Sequence, residues 1–180
     1  LNALTSSTVT GEIVNTSRIS EILDSSSGIT ESGGSNAYTI TISSNDAAAS
    51  ASDLNSINDL TTVAVNLTNV TSLASSSLSD LGTLATAIGD NEFSNATGLT
   101  TIAVSDTTIA ADTLAARIDS YDSINGDSAT TGMTLASGAT INVSSGEIAE
   151  MLADETANRL TISDQDINVD SGLISVDNAN

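Results

Sequence analysis

The sequence predicts a mainly β protein with short helices, folded as a β-solenoid-like stack of strand and helical-turn modules, and three observations lead there. Short runs place apolar residues two apart with Thr, Ser, Asn or Ala between them, the alternation of a sheet with one buried face. Between these runs lie Ala-rich pieces with apolar anchors at Ile19, Leu54, Leu81, Leu114 and Ile148, separated by 35, 27, 33 and 34 residues. A recurrence of roughly thirty residues is the mark of units that bury their apolar faces only against neighbours. Aromatic residues are 2% of the chain and proline is absent, so the interior is filled by Ile, Leu, Val, Ala and Thr, a supply suited to thin layers.

The clearest unit runs from Leu99 to Tyr121. Ile102 and Val104 give a strand with one buried face, Ser105 and Asp106 break it, and Ile109, Leu114 and Ile118 then fit a short amphipathic helix capped by Asp112. Comparable strands are expected over 38–42, 62–65, 101–104, 140–143, 160–162 and 173–176, with shorter ones at 70–73, 134–135 and 167–169. The helical pieces place Ser17, Ser52, Ser79 and Asp112 two residues before their anchors, as capping oxygens. Turns fall to Gly, Asn, Asp and Ser, and Asn125-Gly126-Asp127 fits a type I′ turn. Approximate modules are 8–37, 38–61, 62–99, 100–133, 134–160 and 161–180, one repeat array over 1–180. A compact α/β domain would also alternate strands with helices, but its parallel strands should be nearly continuous apolar runs, whereas these keep a polar face.

Charge and composition narrow the function. The chain carries 23 acids against 3 bases, a formal charge of -20. Such a surface repels nucleic acid and anionic lipid, which are held through Lys and Arg contacts to phosphate. No run reaches the roughly 18 apolar residues of a spanning helix, so membrane insertion is not expected. With no His, Lys or Cys, the sequence lacks the parts for Ser-His-Asp, Cys-His and Ser-Lys nucleophiles, Schiff bases, and His- or thiolate-bound metal. Catalytic residues are therefore expected to be none, and no glycine-rich nucleotide fingerprint occurs.

The phrases 37–42, 46–57, 60–66 and 104–114 resemble the degenerate Thr/Ser/Ala/Asp-rich repeats of giant bacterial surface proteins, of the type found in marine cyanobacteria. The resemblance spans most of the chain and implies secretion, an extracellular or cell-surface place, and a structural or adhesive role. Opening at Leu1 and stopping directly after a strand-like run, the chain is expected to be a segment of something longer. The glycine-rich nonapeptide of calcium-binding coils in hemolysin-type proteins is missing from this sequence.

The strongest site candidate concerns oxygen ligands. Asp164, Asp166, Asn168 and Asp170 alternate along an expected strand, which would set four oxygen-bearing side chains on one face, a donor set that suits Ca2+. The plain alternative is the wet face of a strand whose dry face is Ile167 and Val169. Weaker acidic groupings are Asp119, Asp122 and Asp127, and Glu147 with Glu150. Five Asn-x-Ser/Thr triplets, at Asn15, Asn66, Asn69, Asn95 and Asn142, match the glycan acceptor pattern. The expected function is a non-enzymatic structural segment of an extracellular filament, sheath or surface layer, with other copies of itself as partner. The alternative is a calcium-dependent adhesin module that binds a surface glycan or a partner protein.

Overall fold

The computed structural model describes residues 8–13, 16–26, 28–29, 36–126 and 132–169. The chain opens with β1 (Thr10–Ile13) and a one-turn α1 (Ile19–Ile22), followed by β2 (Ala37–Ile40), β3 (Ala48–Ala49) and α2 (Ala51–Asn58). Next come β4 (Val65–Asn66), β5 (Ser72–Ser76) and α3 (Leu78–Gly89), then β6 (Phe93–Ser94), β7 (Thr101–Val104), β8 (Thr108–Ala110) and α4 (Ala111–Ile124). The last elements are β9 (Gly132–Thr134), β10 (Thr140–Val143), α5 (Ile148–Thr156), β11 (Leu160–Thr161) and β12 (Asp166–Val169).

Every strand pair is parallel, which the sequence makes possible by returning the chain through a helix or long loop before the next strand. A five-stranded sheet runs β11-β9-β7-β5-β3, a three-stranded sheet β12-β10-β8, and two-stranded sheets join β1 with β2 and β4 with β6. Register aligns like with like: Leu73 sits beside Ile102, Ile102 beside Met133, and Met133 beside Leu160, all buried, while Ile109, Ile141 and Ile167 align in the neighbouring sheet. Each of these strands except β12 buries one row and leaves the other wetter. Thr101 is exposed between buried Leu99 and Ile102, and Thr140 and Asn142 flank buried Ile141.

The helices pack neighbour on neighbour, α1 to α5 in chain order. Helix α4 turns Ala111, Leu114, Ile118 and Tyr121 inward at spacings of three and four residues. Tyr121 is fully buried and its hydroxyl donates to the Leu81 carbonyl oxygen at 3.1 Å, tying α4 to α3. The first amides of three helices are satisfied from the following layer. Ile19 N–H donates to Asp46 Oδ2 at 3.0 Å, Ala51 N–H to Ser76 Oγ at 2.8 Å, and Leu78 N–H to Asp106 Oδ2 at 2.7 Å. Helices α3, α4 and α5 each end with a left-handed residue just past the cap: Asn91 (φ 63°), Gly126 (φ 71°) and Asn158 (φ 59°). The returning bonds at α3 and α5, Glu92 N–H to Ala87 O and Arg159 N–H to Asp154 O, are those of a Schellman ending.

This architecture corrects the expected one. The chain is an α/β fold with mostly parallel, open sheets, 36% helix and 27% strand, and not a mainly β, solenoid-like stack of strand and helical-turn modules. The helices form a layer of their own, with α3 at 12 residues and α4 at 14, where the sequence reading expected only short helices. The polar strand face misled because the strands are only two to five residues long and one of their faces remains wet. Such strands do not need the continuous apolar runs of a sheet sandwiched between helices. Local details shift as well. Ile109 belongs to β8, paired with Ile141, and not to the helix. The caps of α2 and α3 are Ser50 and Ser77, accepting from Asp53 N–H and Asp80 N–H, while Ser52 and Ser79 lie inside those helices. Asp112 is in the first turn of α4, whose N-cap is Ala110. Asn125 and Gly126 end α4 instead of turning a hairpin, and Asp127 lies outside the described residues, as does the expected strand 173–176.

Candidate functional site

Three places gather the polar side chains of this molecule. The first is β12 and the bend before it. Asp166 and Asn168 share one row of the strand, set against Thr140 and Asn142 of β10, and Asn168 Nδ2 donates to Asn142 Oδ1 at 2.7 Å. Asp164 stands in the bend, not on the strand. Its carboxylate accepts from Ser137 Oγ at 2.5 Å and Gln165 Nε2 at 2.8 Å, and the Ser137 hydroxyl is the main reason its pKa lies below the usual carboxylate value. Asp170 lies outside the described residues. Among the described residues no group of three or more acidic, His or Cys side chains is arranged to hold a metal ion. The facing row is not dry. Ile167 is 41% exposed because β12 has a neighbour on one side only among the described residues.

The second place is built around Arg159, directly after the left-handed Asn158 that ends α5. Its guanidinium meets Asp119 at 3.0 Å, Asp122 at 2.5 Å and Asp154 at 3.1 Å. Sequence reading named Asp119 and Asp122 as a grouping but missed Asp154, which lies 35 residues beyond Asp119 and reaches the cluster only because α5 packs on α4. Burial pushes the Asp154 carboxyl above its ordinary value, Arg159 partly offsets this, and Asp119, Glu150 and Asp122 add to the rise. Asp154 also lines a narrow crevice between α4 and α5, with Leu114, Ile118, Met151 and Leu160 among its walls. Glu147 and Glu150 line the same crevice, and Glu147 Oε2 accepts from the Ser144 N–H at 2.6 Å, so it serves the start of α5. One cation shared by two carboxylates of α4 and one of α5 is an arrangement that fastens helix to helix.

The third place is an open groove between α3 and α4. Its floor is Gly82 with Arg117 laid over it. A Cβ on residue 82 would stand 2.9 Å from the guanidinium carbon. Thr83 and Thr86 return their hydroxyl protons to carbonyls one turn back, at 3.3 and 3.0 Å, leaving hydroxyl oxygens toward the groove. Asp106 at its rim is engaged at the first amide of α3. Sequence reading gave Arg117 no role, since a single Arg on an Ala-rich helix has no local signal.

The asparagines of the glycan triplets work inside the structure where it describes them. Asn95 Nδ2 donates to Asn66 Oδ1 at 2.9 Å, Asn69 Nδ2 to the Ile42 carbonyl at 2.8 Å, and Asn142 accepts from Asn168. Asn15 lies outside the described residues. Compared with known proteins, the chain matches no family model, no curated protein and no solved structure.

Proposed function

We propose that this chain is a non-enzymatic structural segment of an extracellular filament, sheath or surface layer, working by cohesion with other copies of itself. The observation that supports this reading is a set of four open sheets, parallel in every described strand pair, whose buried residues join one apolar core running from Ile19 to Leu160. Open sheets present unpaired backbone N–H and C=O groups along their outermost strands, and these can accept a further strand. The scarcity of chemically versatile side chains, with no His, Lys or Cys in the sequence, agrees with a protein that acts by shape.

Electron microscopy of the purified chain tests this. Uniform fibres or sheets formed without added ligand are expected, and particles that stay monomeric at every concentration and salt contradict the reading. A second reading, a calcium-dependent adhesin that binds a surface glycan, draws on the Asp166 and Asn168 row of β12. A melting midpoint raised by Ca2+ and lowered by chelator, with glycan capture that follows it, would favour the adhesin.

A further inference from the structure

We infer that the α3–α4 groove is a side-by-side docking site for a second copy of this chain, with Arg117 taking an Asp or Glu side chain from that copy. The inference rests on the self-association proposed above and adds a lateral contact to the joining of strand edges.

The argument begins with an imbalance. The chain has 23 acids for three Arg. Arg159 is held by three carboxylates at once, yet Arg117 makes no ion pair within 4 Å among the described residues. Its Nε–H is buried and meets no acceptor. Burying a guanidinium N–H unmatched is unfavourable, and in a chain so rich in carboxylates a partner within the same molecule would be easy to supply. The guanidinium is also held in place. Gly82 removes the side chain that would lift it off α3, so its planar fork, the group that pairs a carboxylate bidentately, lies close over the helix and lines the groove.

The groove selects the occupant. Ser79, Thr83, Thr86 and Thr113 line it with hydroxyls, which suits a polar segment and not an apolar helix. None of its lining residues is aromatic, so it offers no platform for a sugar ring. Asp106, the acid at the rim, is committed to the Leu78 amide. What remains is a cationic point in a hydroxyl-lined trough on a molecule otherwise strongly negative. The abundant complementary group is the carboxylate of another copy. Two such chains repel over most of their surfaces, so one matched contact also fixes how they meet.

The test is sedimentation velocity of the full 180-residue chain as wild type, Arg117→Met, Arg117→Lys and Gly82→Ala, with thermal melts of each. Arg117→Met is expected to weaken self-association about tenfold or more while keeping the wild-type melting profile, since the guanidinium has no internal partner to lose. Arg117→Lys, keeping the charge without the fork, is expected to recover only part of it. Gly82→Ala, which displaces the guanidinium and leaves the charge, is expected to weaken association as well. Wild-type and Arg117→Met chains that associate equally overturn this contact and leave the structural reading standing. A wild-type chain that stays monomeric overturns both. A monomeric wild type that binds polygalacturonate through Arg117 overturns the second copy as occupant and assigns the groove to an acidic polysaccharide.

Discussion

Tyr121 shows how much one side chain can hold in a molecule with so few large ones. Its ring fills the space between α3 and α4, and its hydroxyl reaches the Leu81 carbonyl. Tyr121→Phe is expected to cost about 1 kcal/mol by chemical denaturation, and Tyr121→Ala about 3–5 kcal/mol through the cavity it leaves. Burial pushes the phenol well above the ordinary tyrosine value. At pH ~11, where exposed tyrosines ionise, the native chain should therefore show less phenolate absorbance than the denatured chain, and Tyr121→Phe should abolish that difference. The two shifted carboxyls act with opposite sign. The Asp154 pKa is raised in the fold, so the native state binds its proton more tightly, and stability falls as pH rises from 3.8 through the folded value. The Asp164 pKa is lowered, so its contribution is present above 3.8 and is lost as pH falls through the folded value. Melting curves against pH are expected to lose the first slope in Asp154→Asn and the second in Ser137→Ala. At pH 7 Asp154→Asn should lie within about 1 kcal/mol of wild type, because Asn still accepts from Arg159. Arg159→Met, which strands three carboxylates of which Asp119 is largely exposed, should cost about 2 kcal/mol.

At the scale of elements, what the sequence revealed and what it hid have separate causes. The strands at 101–104 and 140–143 were legible because their buried residues lie two apart, and Ile102 and Ile141 do face the core. Helix α4 was legible as a helix but not in its start. The interval from Ile109 to Leu114 is five residues, whereas the true face begins at Ala111, an apolar residue too small to stand out among its neighbours. Its last inward residue, Tyr121, was passed over for a different reason, since it extends a face that the reading had already closed at Ile118. Asn125-Gly126 carried the correct conformational signal, a left-handed residue, but the chain uses it to end a helix. The caps supplied across layers by Asp46, Ser76 and Asp106 have no local signature, because donor and acceptor are 25 to 28 residues apart. Ser77 is the most exacting of the local caps, accepting from Asp80 N–H at 3.0 Å while donating to its carboxylate at 2.7 Å. Ser77→Ala is expected to destabilise the chain by about 1 kcal/mol, read by denaturant melts, and Ser52→Ala, inside α2, by much less.

For the molecule as a whole, the proposed assembly sets cohesion at the open sheet edges against charge repulsion between copies. Small apolar residues aligned strand beside strand hold the core together, while a formal charge of -20 drives separate copies apart. Assembly should therefore rise with ionic strength, as screening shortens the reach of that repulsion to about 8 Å at physiological salt. The candidate site was least legible at this scale. Asp164, Asp166, Asn168 and Asp170 read as one row only if a single strand spans them, yet β12 begins at Asp166 and Asp164 sits in a bend bonded to Ser137. Arg117 and Gly82 meet across two helices 35 residues apart, and no pattern within either helix announces it. The most direct measurement of the proposed cohesion is diffraction from an aligned preparation of the assembled chain. Copies joined strand edge to strand edge are expected to give a reflection at about 4.7–4.9 Å along the axis of growth. Assemblies that lack this reflection, or a chain that never assembles, would contradict a molecule that works by extending its own sheets.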